Sequence, residues 1–152
     1  MTDGIDRRTV IAGLGAAVVA LPRGAKAEGP SDLFRAAERE LAKGRTIRDG
    51  RVVLDIPRLA ENGNSVAVAV SVDSPMTAAD HVRTIHLLSE RNPIAVIGRF
   101  HLGPRAGRAE VKTYVRLATT QNVHAIAEMS DGSLWRAQGE SVVLLAACLD
   151  GG

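Results

Sequence analysis

Val66-Ala67-Val68-Ala69-Val70-Ser71-Val72-Asp73 is the stretch whose reading decides the fold. Valine recurs at every second position, and the residues between are small or polar. A period of two puts the four valines on one face of an extended strand and Ala67, Ala69, Ser71 and Asp73 on the other. β-Branched side chains suit such a half-buried surface. Asn62-Gly63 gives a turn signal before the stretch, and Ser74-Pro75 closes it.

The same grammar extends outward from residue 51. Residues 52–56 form a short apolar run ended by Pro57. Further strands are expected over 81–89, 95–102, 109–117, 123–129 and 141–147, the last running straight into Cys148. Asn92-Pro93 marks a turn, and Asp131-Gly132 between Met129 and Leu134 predicts a tight hairpin. About seven short strands with turn residues between them predict an all-β chain, an immunoglobulin-like antiparallel β-sandwich. One cysteine makes the inter-sheet disulfide of antibody domains impossible. Ahead of the strands, Ser31 can cap a short N-terminal helix with Leu33, Ala37 and Leu41 on its apolar side, and Gly44 supplies a stop. Arg35, Glu38, Arg39 and Lys43 form its polar face. The helix is expected to pack over the end of the main domain, or to dock a partner. Trp135, the one tryptophan, is expected to pack on the sheet or to dock a partner. There is no internal repeat and no low-complexity segment.

Residues 1–27 have the organisation of a bacterial export leader. Arg7-Arg8 is a twin arginine, an apolar run follows, and Ala25-Lys26-Ala27 has the small-x-small pattern of a cleavage site. The run of about a dozen residues is short of the roughly 20 that a membrane span needs, so no permanent anchor is expected. A general secretory signal and an uncleaved anchor are the alternatives to a cleaved twin-arginine leader. The expected organisation is a leader over 1–27, a linker and helix over 28–48, a sandwich over 49–147 and an arm over 148–152. The chain has 19 basic and 17 acidic residues; removing four and two with the leader leaves 15 of each. A near-neutral chain with 3% aromatics has neither the basic surface nor the stacking platforms of a nucleic-acid binder.

Export to the oxidising periplasm gives Cys148 its meaning. Cysteines there are normally paired, and this one has no partner in the chain. An odd cysteine points to an intermolecular bond or a reactive thiol. The four histidines, His81, His86, His101 and His124, form no pair with metal-ligand spacing, and no metal or other cofactor is expected. His81 and His86 are expected on opposite faces of one strand. Glu110 and Glu128 are expected to face solvent, and Gly98, Gly103 and Gly107 to serve turns or bulges. A Cys–His nucleophilic site needs a rigid pocket, which a thiol so near a terminus lacks. A thiol on a short tether remains: it can carry a group covalently into pockets of other proteins. Two other readings stay open. Cys148 is a packed residue of a non-catalytic binding or structural subunit, or it links a homodimer.

Several segments together resemble the SoxY family, the sulfur carriers of periplasmic thiosulfate oxidation. They are Ala60-Glu61-Asn62-Gly63-Asn64-Ser65-Val66, Val70-Ser71-Val72-Asp73-Ser74-Pro75-Met76, Ser89-Glu90-Arg91-Asn92-Pro93, Ala109-Glu110-Val111, Arg116-Leu117-Ala118 and Ala127-Glu128-Met129-Ser130-Asp131-Gly132-Ser133. The resemblance implies a carrier that is not itself an enzyme, paired with a SoxZ-like subunit as a heterodimer. It implies Cys148 as the residue to which sulfur is attached while partner enzymes attach, oxidise and hydrolyse it. The arm departs from the family's Gly-Gly-Cys-Gly-Gly. Here Ala146-Ala147 precedes the cysteine and Leu149-Asp150 follows it, similar to a SoxY-related subgroup whose arm reads Ala-Ala-Cys-Ile-Glu. Alanines stiffen the approach, Leu149 adds bulk, and Asp150 adds negative charge beside the sulfur. The expectation is a carrier of the same kind serving a different partner enzyme or sulfur compound.

Overall fold

Helix α1 (Asp32–Ala42) leads into nine strands: β1 (Ile47–Asp49), β2 (Val52–Asp55), β3 (Leu59–Asn62), β4 (Val66–Val72), β5 (Val82–Ser89), β6 (Val96–His101), β7 (Glu110–Val115), β8 (Gln121–Met129) and β9 (Leu134–Leu145). The structure is a computed structural model and describes residues 29–147. β2, β4 and β7 form one sheet. The other runs β1-β9-β8-β5-β6, with β3 also paired to β9.

The four valines of β4 lie between the sheets, each 7% exposed or less. They face Ile85, Leu87, Val123, Ala125, Ala127 and Met129 from β5 and β8. Burying each such side chain contributes about 1.5–3 kcal/mol, which is how an aliphatic core compensates for so few aromatics. Ala67, Ala69 and Ser71 face outward, as the alternation requires.

The large sheet is buried on both faces. Leu88, Ile126 and Leu134 point away from the sandwich core and are covered by α1 through Phe34, with Ala37 and Leu41 alongside. The Ser31 hydroxyl accepts from the Phe34 N–H at 3.2 Å and caps the helix. Lys43 and Gly44 end it in left-handed conformations, φ 47° and 79°. The helix therefore packs on a sheet face rather than over the end of the domain. Leu33, expected on the apolar side, is 57% exposed. The buried set is Phe34, Ala37 and Leu41, one face at i, i+3 and i+7. Phe34 wins the inward position because its ring lies 4.6 Å from the His124 ring on β8.

The all-β, immunoglobulin-like sandwich with its short N-terminal helix forms as expected, but three details differ. Its pairing is not purely antiparallel: β1 and β3 both pair with β9 in parallel. They have three and four residues, too short to show a period in the sequence. β9 is one strand of 12 residues beginning at Leu134; it pairs antiparallel with β8 as far as Ser141, then continues alone with β3 as far as Leu145. It stops short of residue 147. His81 precedes β5, so it shares no strand with His86. The Asp131-Gly132 hairpin forms as expected. Gly132 takes φ 84°, and the Asp131 carboxylate accepts from the Ser133 N–H and hydroxyl at 2.9 and 2.7 Å, which holds that carboxyl below its ordinary range. Trp135 is half-buried against the core, with the guanidinium groups of Arg48 and Arg51 each 5.7 Å from its ring centroid.

Candidate functional site

Cys148 and the Arg7-Arg8 pair lie outside the described residues. What is described is the point from which the chain passes to the cysteine. β9 ends at Leu145 and Ala146 is exposed, but Ala147 is 7% exposed. Its N–H donates to the Leu117 carbonyl at 3.2 Å. The Leu117 N–H donates to the Gly63 carbonyl, and the Gly63 N–H to the Leu145 carbonyl, both at 2.8 Å. Three segments distant in sequence are thus tied by backbone hydrogen bonds into a clamp around the residue before the cysteine.

The clamp depends on a glycine. A Cβ on Gly63 would fall against the Leu117 carbonyl oxygen, 2.9 Å from the Ala147 nitrogen and 3.0 Å from Val143 Cγ1. The expected turn at Asn62-Gly63 is present, with Asn62 Oδ1 accepting from the Asn64 N–H at 2.9 Å. Its larger consequence is that backbone can approach backbone here.

Leu117 is held by a buried polar network. Asn92 Nδ2 donates to the Arg116 carbonyl at 2.8 Å, and Asn92 Oδ1 accepts from the Ala118 N–H at 3.0 Å. Gln121 Nε2 donates to the same Oδ1 at 2.8 Å and to the Thr119 carbonyl at 3.1 Å, and Gln121 Oε1 accepts from the Arg91 N–H at 2.8 Å. Asn92 and Gln121 are 5% and 4% exposed, so little water can replace them. Three of the sequence segments quoted above, 60–66, 89–93 and 116–118, therefore meet at the root of the arm. Asn92→Ala removes the partner of the Ala118 N–H and of the Arg116 carbonyl and one of the two acceptors of Gln121 Nε2. It should lower stability by about 3 kcal/mol in urea denaturation. A loss below about 0.5 kcal/mol, the range of surface substitutions, would mean that the network holds nothing.

The four histidines do not gather into one site, although His86 and His101 line the same cleft. His81 Nδ1 lies 2.9 Å from the Thr77 carbonyl. His101 is exposed, its Nδ1 3.2 Å from Thr84 Oγ1. His124 is buried, with Nε2 2.9 Å from Glu90 Oε1, while Glu90 Oε2 accepts from Asn122 at 3.0 Å. His86 is buried on the helix side of β5. Among the described residues no three His, Cys, Asp or Glu side chains are grouped to hold a metal ion.

Glu110 is exposed, 3.8 Å from Arg108. Glu128 is not solvent-facing as expected. It is half-buried beneath α1 and accepts from Arg45 Nη1 at 2.9 Å. Arg45 also donates to the carbonyls of Leu41, Ala42 and Gly132 and so ties the end of α1 to the β8–β9 hairpin. The Arg45 hydrogen bond holds the Glu128 carboxyl below its ordinary range. A carboxyl whose folded pKa is depressed contributes stability above its unfolded pKa and loses it as pH falls through the folded one. Glu128→Gln should cost about 1 kcal/mol at pH 7. The cost should vanish below the ordinary carboxylate range, as measured by urea denaturation at both pH values.

The fold and this geometry were compared with known proteins. The family model described as "Sulfur oxidation protein SoxY" matches residues 38–148. A search of curated protein sequences finds no match. Among solved structures, the sulfur carrier protein SoxY from Chlorobium limicola f thiosulfatophilum is similar at 25% identity. That match covers 71% of this chain and 94% of that one, with a TM-score of 0.56. A superoxide reductase (neelaredoxin) from Ignicoccus hospitalis, 23% identical over 66% of this chain and 97% of its own, has a TM-score of 0.58. The superoxide reductase from Nanoarchaeum equitans, 15% identical over 62% and 99%, has 0.53. At these identities the reductases share the fold alone. The family match runs from α1 to the cysteine and takes in all three segments of the clamp, and the chain belongs to the SoxY family of sulfur oxidation proteins.

Proposed function

We propose that the chain is a periplasmic sulfur carrier that holds a sulfur compound covalently on Cys148 while partner enzymes oxidise it. The observation that carries this reading is that the family match reaches residue 148, the only cysteine in the sequence. The clamp supports it, because it fixes the chain one residue before the thiol. Joining the Cys148 thiol to a reduced sulfur compound through an S–S bond releases two electrons and the thiol proton. The electrons pass to an acceptor on a partner oxidoreductase. Further oxidation by partners, with water supplying the oxygen atoms and electrons leaving to the same kind of acceptor, brings the bound sulfur to the sulfonate level. Hydrolysis of that S–S bond by another partner releases sulfate and returns the free thiol. The carrier is the handle and the chemistry is its partners'. The Arg7-Arg8 leader supports export to the periplasm, where the lone thiol escapes pairing within its own chain.

The partner is a SoxZ-like subunit. Leu59 on β3 and Val142, Leu144 and Leu145 on β9 are 38–67% exposed, beside the clamp, on strands where β3 pairs only with β9. Such an apolar strip is what a subunit interface covers. Ala146, Ala147, Leu149 and Asp150 in place of glycines favour a partner enzyme or sulfur compound other than those of thiosulfate oxidation.

Mass spectrometry of the mature protein tests the reading. After incubation with partner enzymes and reduced sulfur compounds, an added mass should sit on Cys148 and be lost on reduction. An unmodified cysteine throughout would overturn it. The burial of Ala147 favours a second reading, a binding subunit with Cys148 packed. Thiol labelling of the folded protein separates the two, fast for a carrier and slow for a packed side chain.

A further inference from the structure

We infer that the cleft between the end of α1 and the outer face of β5, β6 and β8 binds a small inorganic oxyanion of the sulfate or phosphate type. The cleft has a volume of about 360 Å³ and is lined by charged and imidazole side chains. Its floor follows from the strand register. Arg99 on β6 lies across from His86, and His101 on β6 and Glu128 on β8 both lie across from Thr84.

His86 is the group that asks for a ligand. Its side chain is 9% exposed. Both ring nitrogens are buried, and neither has a hydrogen-bond partner among the described residues. The nearest carboxylate oxygen, Glu128 Oε2, is 3.9 Å from Nε2, beyond a hydrogen bond. A buried imidazole in this state is destabilising unless something completes it.

The surrounding charges decide what that is. Arg45 and Glu128 are committed to each other, and the other Arg45 donors are taken by carbonyls. That leaves the guanidinium of Arg99 and the ammonium of Lys43, neither in an ion pair with a described residue, against one exposed carboxylate, Glu40. Burial, with Arg99 next, pushes the His86 imidazole below its ordinary range and keeps it neutral. A neutral imidazole N–H, a forked guanidinium and an ammonium suit a tetrahedral oxyanion, with Arg99 able to donate twice. A metal cation would meet the two unpaired positive charges of Arg99 and Lys43, and although His86 and His101 both line the cleft, no three His, Cys, Asp or Glu side chains among the described residues are grouped to hold one.

The test follows the imidazole resonances of the mature chain, labelled with ¹⁵N-histidine. Sodium sulfate or sodium phosphate is titrated against sodium chloride at equal ionic strength. His86 should shift saturably with at least one oxyanion, and which of the two does so identifies the ligand. The exposed Arg99→Gln keeps His86 as the reporter and should weaken binding about tenfold. Cys148→Ser should leave the curve unchanged, since the inference does not rest on the carrier reading. A shift that follows ionic strength alone, or is the same in Arg99→Gln, or is lost in Cys148→Ser, would overturn it.

Discussion

Cys148→Ser should abolish covalent loading and drop sulfur oxidation by the reconstituted partner enzymes to background. The protein has no second thiol to substitute. A serine hydroxyl can form no S–S bond, and at neutral pH it supplies almost no nucleophilic anion. The clamp is made by backbone groups of Gly63, Leu117, Leu145 and Ala147, so the exchange of one sulfur for oxygen leaves it in place. Unfolding in urea should therefore shift by no more than about 0.5 kcal/mol. The pairing of total functional loss with unchanged stability is the signature of a carrier residue. A packed cysteine gives the opposite result, reduced stability with turnover retained, and that outcome would end the carrier reading.

The parts of the fold that were legible in the sequence are those with local grammar. The valines of β4 declared their strand because one face is buried and one is not, and Asp131-Gly132 declared its hairpin because the turn requires a residue at positive φ. β1 and β3 carry no such signal. Each is a short parallel addition to β9, and its partner lies more than 80 residues away. Leu33 was read inward because it is apolar at the right spacing; the deciding fact, the His124 ring waiting for Phe34, sits on another element. The site divides the same way. Cys148 stood out by its chemistry, as the one thiol in a chain whose first residues read as an export leader. Asn92 and Gln121 did not, because a buried amide that holds a loop looks in sequence like any other turn residue. Asn62-Gly63 was visible as a turn, but the reason a side chain is forbidden there is the backbone of residues 117 and 147.

Gly63→Ala tests that last point directly. The added methyl group meets a carbonyl oxygen and an amide nitrogen, both on main chain that is itself hydrogen-bonded, so neither can swing aside as a flexible side chain would. Overpacking of this kind should cost about 3 kcal/mol, where alanine at a permissive surface position is close to neutral. Gly103 is the matched control: its backbone is extended and a Cβ there meets nothing within 4 Å, so Gly103→Ala should stay within about 0.5 kcal/mol of the parent in urea. The two effects of Gly63→Ala can be separated. Labelling of Cys148 by a small thiol reagent needs only an accessible sulfur and should persist at conditions where the variant is folded. Turnover with partner enzymes needs the thiol to start from a fixed point and enter another protein's pocket, and displacement of about 1 Å can cost on the order of a hundredfold in such a reaction. Retained labelling with lost turnover would therefore make the clamp part of the carrier. Retained turnover in a folded Gly63→Ala protein would reduce it to a structural detail of the sandwich.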